Sequence, residues 1–144
     1  MEDKLNANQV VQGNIGDCWY VSSLSIIANR EEYIKGYPYD RCKKDQASAI
    51  YGVNPYLFKF FTQFGMYIFK FYKKFQPVYV VVDDLFPVQT GVEELLFAKS
   101  PDPGMQWPAF LEKAYAKLHH AYSNMISGDI AQGLNDLTNS VPIK

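Results

Sequence analysis

The chain has 144 residues, of which 48% are hydrophobic and 16% aromatic, so it is long and apolar enough for one domain with its own core, and disorder is excluded. Its 14 basic and 15 acidic residues give a net charge of −1. This balance excludes the strongly basic surface of a protein that binds nucleic acid or anionic membranes. We therefore expect neither partner.

The first stretch with a chemical signature is residues 12–19, which read Gln-Gly-Asn-Ile-Gly-Asp-Cys-Trp. Its two glycines predict a tight turn, and residues 20–29 lack Gly and Pro and predict a buried helix that begins beside Cys18. The N-terminus of a helix favours a thiolate, the nucleophilic form of cysteine. The backbone N–H of Cys18 and the side-chain amide of Gln12 would then form an oxyanion hole. Taken alone, a free cysteine is also compatible with a small buried hydrophobic residue.

The middle of the chain changes to β character. Residues 40–54 indicate a surface connection or a short helix, whereas residues 56–63, 66–73 and 78–83 are rich in aromatic and β-branched side chains and predict a small, largely antiparallel sheet. Residues 78–82 are apolar on both faces, which predicts a strand covered on both sides. Asp83 and Asp84 follow it. Because neighbouring strand residues face opposite ways, we expect one carboxylate to bond to a loop, and no metal site.

The last part of the chain predicts two helices after a loop at residues 91–104. The first runs from residue 107 to residue 125 with Pro108 in its first turn, and the second is a short amphipathic helix at residues 129–139 with Leu134 and Leu137 facing inward. His119 and His120 are candidates for the imidazole base that a cysteine nucleophile needs. We interpret them as polar residues beside a helix C-terminus, because they project in different directions and at most one could face a site.

Residues 12–19 carry the complete nucleophile signature of the calpains, the intracellular branch of the papain-like cysteine proteases, and the chain resembles that family. Two further blocks resemble it in the same order: residues 65–88, with Val-Val-Asp-Asp-x-x-Pro, and residues 107–117, which read Trp-Pro-Ala-Phe-Leu-Glu-Lys-Ala-Tyr-Ala-Lys. The resemblance implies an α+β fold, half of a papain-like protease. In it a central nucleophile helix packs with further helices and the small sheet.

The resemblance also implies roles for individual residues. Cys18 corresponds to the nucleophile and Gln12 to the oxyanion donor, while the substrate cleft corresponds to Trp19, Gly16 and the Ser127-Gly128 turn. Residues 1–144 then form a single domain that corresponds to the first of the two subdomains of the calpain catalytic core. The catalytic His and Asn belong to the second, which follows where this chain stops.

Three positions depart from the family pattern. The calpains bind one calcium ion in this subdomain, at positions that correspond to Gln9 and Met105. Because calcium needs several oxygen ligands and methionine offers none, we expect that site to be lost and no cofactor to be held by this chain. Asp129 stands where the family has a second glycine, so its side chain and charge would crowd an extended substrate.

Two hypotheses follow. In the first, the chain is the nucleophile-bearing half of a calpain-like endopeptidase that cleaves polypeptides once a His/Asn subdomain completes it. In the second, it is a non-catalytic structural or protein-binding module of a larger assembly. The chain has only two cysteines, Cys18 and Cys42, and no leader-like apolar run, so we expect a cytoplasmic, reducing setting. A Cys18–Cys42 disulfide would block the nucleophile, and we do not expect it.

Overall fold

A computed structural model describes residues 5–30, 64–102 and 106–141 of the chain. The predictions for residues 40–54 and for the strand at residues 56–63 lie outside this part. Within it, three α-helices accompany one antiparallel hairpin, which confirms the α+β class. The elements are α1 (Cys18–Ile27), β1 (Tyr67–Lys73), β2 (Gln76–Val82), α2 (Trp107–Leu118) and α3 (Ile130–Thr138), with single 3-10 turns at Ala7–Gln9 and Tyr122–Met125.

Helix α1 lies at the centre and is buried on more than one side, as predicted. Tyr20 is fully buried and stacks on Tyr115 of α2, with 4.1 Å between ring centroids. On another side α3 crosses α1 closely. The hydroxyl of Ser23 in α1 donates to the carbonyl of Ile130, the first residue of α3, at 3.2 Å. A Cβ added at Gly133 of α3 would lie 2.4 Å from that hydroxyl oxygen. Small residues at this crossing therefore allow the two helices to approach.

Strands β1 and β2 form a tight hairpin with Phe69 opposite Val80. The turn between them consists of Lys74 and Phe75, both with positive φ (50° and 63°), as the twist of a two-residue hairpin requires. The core face carries buried side chains from both strands: Phe69, Phe71, Val80 and Val82.

The prediction that residues 78–82 are covered on both sides is wrong. Tyr79 is 46% exposed and Val81 38% exposed, whereas Val80 and Val82, which alternate with them, are buried. Successive strand side chains point to opposite faces, so this strand buries one face and presents the other to solvent.

Helix α2 begins at Trp107 with Pro108 in its first turn, as predicted. It ends at Leu118 and does not continue to residue 125, so the predicted length is wrong. His119 caps the helix, and His120 has a φ of +76°, a left-handed conformation that stops α-helical geometry. A separate 3-10 turn at Tyr122–Met125 follows.

The carboxylate after β2 and the inward face of α3 agree with prediction. The Asp83 carboxylate accepts the Leu85 N–H at 3.0 Å and pairs with the Lys113 ammonium, which is the first cause of a lowered pKa at Asp83. In α3 Leu137 is buried and Leu134 packs against the core. Among the described helices, none has the length and apolar character needed to cross a bilayer.

Candidate active site

Cys18 is the first residue of α1, and its side chain is exposed. The preceding residue, Asp17, is the N-cap, and its carbonyl accepts the N–H groups of Tyr20 at 2.9 Å and Val21 at 3.1 Å. The N–H of Cys18 lies before these bonds, where an α-helix offers it no acceptor. The thiol therefore sits at the positive end of a buried helix with backbone donors beside it, as the sequence predicts.

Residues 11–14, which we call the N-terminal strap, run up to this turn. Val11 and Lys99 exchange two backbone hydrogen bonds, N–H of Val11 to Lys99 at 2.9 Å and N–H of Lys99 to Val11 at 3.0 Å. A Cβ added at Gly13 would lie 2.2 Å from the carbonyl carbon of Phe97. Only glycine fits at this contact, so the strap is held against residues 96–99.

Gln12 is exposed within the strap, and its side chain turns back along the chain. Its Nε2 donates to the carbonyl of Ile15 at 2.7 Å. A primary amide has two N–H donors, so this bond fixes the side chain and leaves one donor for another acceptor. Gln12 is not among the residues lining the groove beside Cys18, and its role as oxyanion donor stays a prediction.

A groove of about 340 Å³ opens beside the thiol. Its lining comes from α1 and from the segment that leads into α3: Cys18, Trp19, Ser22, Gly128, Asp129 and Ile130. The structure thus brings three predicted site residues together, Cys18, Trp19 and Gly128. Ser22 and Ile130 were not predicted. Ser22 was detectable, because it follows Cys18 by one helical turn and therefore shares its face.

Trp19 forms a fixed wall of this groove. It is buried, and its indole Nε1 donates to the Met125 carbonyl at 2.8 Å. A Cβ added at Gly128 would lie 2.3 Å from the indole ring carbon Cε2. Glycine at residue 128 therefore allows the chain to lie directly on the indole ring.

The two remaining predicted cleft residues flank the groove. Ser127 has a φ of +100°, an uncommon backbone conformation for a residue with a side chain. Gly16 faces the same segment, since a Cβ added there would lie 3.6 Å from Cγ2 of Ile126. Both residues lie next to the groove without lining it, and their part in substrate binding stays a prediction.

Asp129 lines the groove and also begins α3. Its Oδ1 accepts the N–H of Ala131 at 2.9 Å, which is the hydrogen bond of a helix N-cap. The carboxylate thus has a structural use that glycine could not supply. It also places a negative charge at the groove, and the expected crowding of a substrate stays a prediction.

Two carboxyl groups are buried beneath the nucleophile turn. Asp17 is fully buried and Glu112 of α2 is 1% exposed. Oε2 of Glu112 accepts the Ala98 N–H at 2.6 Å. In the described part of the chain, Oε1 of Glu112 and both oxygens of Asp17 have no partner from another residue's N–H or hydroxyl, and only the backbone N–H of Asp17 itself lies near its carboxylate. Instead the two carboxyl groups hydrogen-bond each other, which requires one of them to carry a proton.

The proton belongs to Glu112. Burial is the main cause that raises the pKa of Glu112, and together with the hydrogen bond and charge of Asp17 it brings that pKa to about 9. Burial also raises the pKa of Asp17, but the hydrogen bond from Glu112 opposes that shift. Sequence reasoning assigned neither residue this role. The available signal was the position of Glu112 on the core face of α2, three residues before the buried Tyr115, where an ionised side chain is rare.

Gln9, at one of the family's calcium positions, holds the N-terminal segment to α2. Its Oε1 accepts the Trp107 indole N–H at 3.0 Å and the Asn6 N–H at 3.2 Å. Met105, the other position, lies outside the described residues. Among the described residues, no group of three or more His, Cys, Asp or Glu side chains is placed to hold a metal ion.

The two histidines of the chain lie at the end of α2, as interpreted from the sequence. His119 is half-buried against Tyr115, with 4.4 Å between ring centroids, and burial is the main cause that lowers its pKa, with Lys73 adding to the effect. His120 is exposed. Neither histidine lines the groove beside Cys18.

An exposed cysteine at the start of a central helix, a groove beside it and the α+β fold are consistent with half of a papain-like cysteine protease. The family model of the calpain family cysteine proteases matches residues 1–143, and the chain belongs to that family.

Relatives show the same affiliation. Over 93% of its length the chain is 32% identical to calpain-5 of Caenorhabditis elegans, and over 92% it is 32% identical to the calpain-2 catalytic subunit of Gallus gallus. It is 35% identical to a calpain of Schistosoma mansoni, again over 92% of the chain. The aligned region covers 19%, 16% and 16% of these proteins, so the chain spans less than a fifth of the length of the curated relatives it matches.

Proposed function

We propose that this chain is the nucleophile-bearing half of a calpain-type cysteine endopeptidase, which performs limited proteolysis when a His/Asn subdomain completes the site. The observation that carries the proposal is the exposed Cys18 at the N-terminus of α1, on a groove walled by Trp19 and Gly128. The calpain family to which the chain belongs consists of cysteine proteases, which act on polypeptides. The substrate is therefore a polypeptide segment.

The chemistry proceeds through an acyl-enzyme. The Cys18 sulfur attacks the scissile carbonyl carbon, a C–S bond forms, and the negative charge develops on the carbonyl oxygen. The Cys18 N–H and the second N–H of the Gln12 amide are the donors for that oxygen. The C–N bond then breaks as the leaving amine takes up a proton, and water cleaves the thioester to release the acid and restore the thiol.

The proton transfers need an imidazole base, as a cysteine nucleophile generally does. The chain has two histidines, and neither lines the groove. His119 is held against Tyr115, and burial disfavours its charged form. Our proposal therefore takes the imidazole from a subdomain outside residues 1–144. The greater length of the calpain relatives supports a second subdomain as its source.

The test is proteolysis of an unfolded protein substrate by the complete native polypeptide that contains this chain. Cys18→Ala should lower the rate about 10⁴-fold, because the nucleophile is lost while binding remains. Cys42→Ser is the matched control and should keep the activity. A polypeptide that cleaves nothing, and whose Cys18 is alkylated no faster than Cys42, would overturn the proposal in favour of a non-catalytic binding module.

We also propose that calcium is not held at the family's position in this subdomain. The Gln9 side-chain oxygen is a neutral acceptor and is already bonded to the Trp107 indole, whereas calcium prefers several charged oxygens. Adding about 1 mM calcium should leave the melting temperature of the chain unchanged. A calcium-dependent rise that disappears in Gln9→Ala would contradict this.

For the cellular setting we propose the cytoplasm. A nucleophilic thiol has to stay reduced, and a reducing compartment maintains it. Fractionation of the source cells should recover the native polypeptide in the cytosolic fraction with Cys18 open to alkylation. Recovery from a secreted fraction with Cys18 oxidised would overturn the assignment.

A further inference from the structure

The buried Asp17 and Glu112 lie where three parts of the candidate site meet. Asp17 is the N-cap of α1 and precedes Cys18. Glu112 belongs to α2, and its second oxygen accepts the Ala98 N–H at 2.6 Å. Ala98 lies within residues 96–99, which pair with the N-terminal strap. A continuous line of hydrogen bonds therefore runs from the nucleophile turn through the two carboxyl groups to the segment that holds Gln12.

We propose that Glu112 is a positioning residue whose protonated carboxyl group bonds the Asp17 carboxylate and thereby fixes the nucleophile turn in register with the N-terminal strap. The consequence for catalysis rests on the proposed function, since the register sets the placement of Cys18 relative to Gln12. The shared proton itself is a property of the chain and does not depend on activity.

Because both carboxyl groups are buried, only one protonation form of the pair satisfies their hydrogen bonds. Asp17 is fully buried and Glu112 is 1% exposed, so water does not complete their hydrogen bonds. A buried carboxylate without a donor is costly, and two adjacent buried carboxylates are costlier still. Only the form with one shared proton satisfies both groups. Any displacement of α2, the nucleophile turn or residues 96–99 would break one of these bonds, so the pair favours a single register of the three segments.

Two phenols also face the pair, and neither competes for the proton. Tyr20 of α1 donates its hydroxyl to the Leu111 carbonyl at 3.1 Å, and Tyr122 follows α2 in the 3-10 turn. Burial raises the pKa of both, and the charges of the pair raise it further. The two phenols stay neutral at neutral pH. Neither phenol therefore contributes to the alkaline titration of the carboxyl pair.

The sign of the pH dependence follows from the raised pKa. Glu112 titrates at about 9 in the folded chain, against 4.5 for an ordinary glutamic acid. The folded chain holds a proton that the unfolded chain loses above 4.5. The stabilisation by the shared proton is complete below that pH and is lost as the pH rises through about 9. Alkaline pH should thus loosen the nucleophile turn and the strap together.

The experiment compares Glu112→Gln with Glu112→Leu in the full chain and uses Glu94→Gln, an exposed glutamate near the same segment, as the matched control. Infrared spectra at about pH 7 should show the carbonyl band of a protonated carboxyl group, because the group titrates well above that pH. The band should vanish in Glu112→Gln and persist in Glu94→Gln. Glutamine offers a permanent N–H to Asp17, so Glu112→Gln should also lose the alkaline decline in melting temperature.

Amide hydrogen exchange tests the positioning itself. In Glu112→Leu the N–H of Asn14, which donates to the Leu96 carbonyl at 2.9 Å, should exchange at least about tenfold faster, whereas Glu112→Gln should keep the protection. Absence of the infrared band, or exchange in Glu112→Gln as fast as in Glu112→Leu, would overturn the proposal. If Glu112→Leu does not fold, the infrared band and the pH profile of Glu112→Gln decide. None of these readouts requires proteolysis, so they stand apart from the test of function.

Discussion

Asp136 of α3 and Asp17 beside α1 are both buried acidic residues, yet Asp136 meets two donors whereas Asp17 meets a second carboxyl group. Oδ2 of Asp136 accepts the Lys73 ammonium at 2.5 Å and the Tyr115 hydroxyl at 2.6 Å. Asp136 is 4% exposed, but the Lys73 side chain is 32% exposed and keeps contact with water. The Asp136 carboxylate therefore has hydrogen-bond donors without sharing a proton with a second carboxyl group.

The difference separates a pH-independent connection from a pH-dependent one. Burial is the main cause that raises the pKa of Tyr115, and the Asp136 carboxylate raises it further, so this hydroxyl keeps its proton at neutral pH. The donor to Asp17 is a carboxylic acid that ionises near pH 9. The chain thus joins β1, α2 and α3 through a permanent ion pair, and joins the nucleophile turn to α2 through a proton that alkaline solution removes.

The largest expected effect comes from removing the carboxylate of the permanent connection. Asp136→Leu leaves the Lys73 ammonium and the Tyr115 hydroxyl without their acceptor and should lower the free energy of unfolding by about 3 kcal/mol. This figure lies at the low end for a broken buried pair because Lys73 is partly hydrated. Urea unfolding at neutral pH measures it. A loss below about 1 kcal/mol would show that the Asp136 connection is worth no more than a surface pair.

The second effect is the pH slope of stability. Between about pH 7 and 9 the wild-type chain should lose about 1 kcal/mol per pH unit, because its folded form holds one more proton than its unfolded form. Asp136→Leu should keep this slope, whereas Glu112→Gln should flatten it. Urea unfolding at several pH values measures all three. If Asp136→Leu abolished the slope and Glu112→Gln kept it, the pH dependence would belong to the Asp136 region and not to the Asp17–Glu112 pair.

Sequence reasoning succeeded where local signals decide the structure. The glycines of residues 12–19 and the small, apolar residues behind them predicted a turn and a central helix that begins at Cys18. The hairpin followed from β-branched runs with a short interruption. In each case residues close in sequence determine the backbone, so the pattern is visible without knowledge of the tertiary structure.

It failed where distant residues decide. The end of α2 at Leu118 carries no glycine or proline signal, and a histidine at residue 120 does not announce the left-handed conformation that stops the helix. The Asp17–Glu112 pair joins residues far apart in the chain, so no local pattern shows that two acidic side chains share a proton. The groove beside Cys18 likewise depends on the crossing of α1 and α3, which brings Gly128 to Trp19.

The smallest expected effect comes from removing one of the two donors to Asp136. Tyr115→Phe deletes the hydroxyl but keeps the ring that stacks on Tyr20 at 4.1 Å, and Lys73 still bonds the carboxylate. The loss should be about 1 kcal/mol, the net value of one buried hydrogen bond. Urea unfolding measures it, with Tyr79→Phe on the exposed face of β2 as a control that should change little.

The same substitution distinguishes the two regions. Since the Tyr115 hydroxyl donates to Asp136, Tyr115→Phe should lower stability equally at about pH 7 and about pH 9 and leave the alkaline slope unchanged. In the double variant with Glu112→Gln the two losses should add to within about 0.5 kcal/mol, because the two side chains hydrogen-bond different carboxylates, Asp136 and Asp17. A larger deviation would mean that Tyr115 couples the permanent connection to the proton-dependent one through its stack on Tyr20.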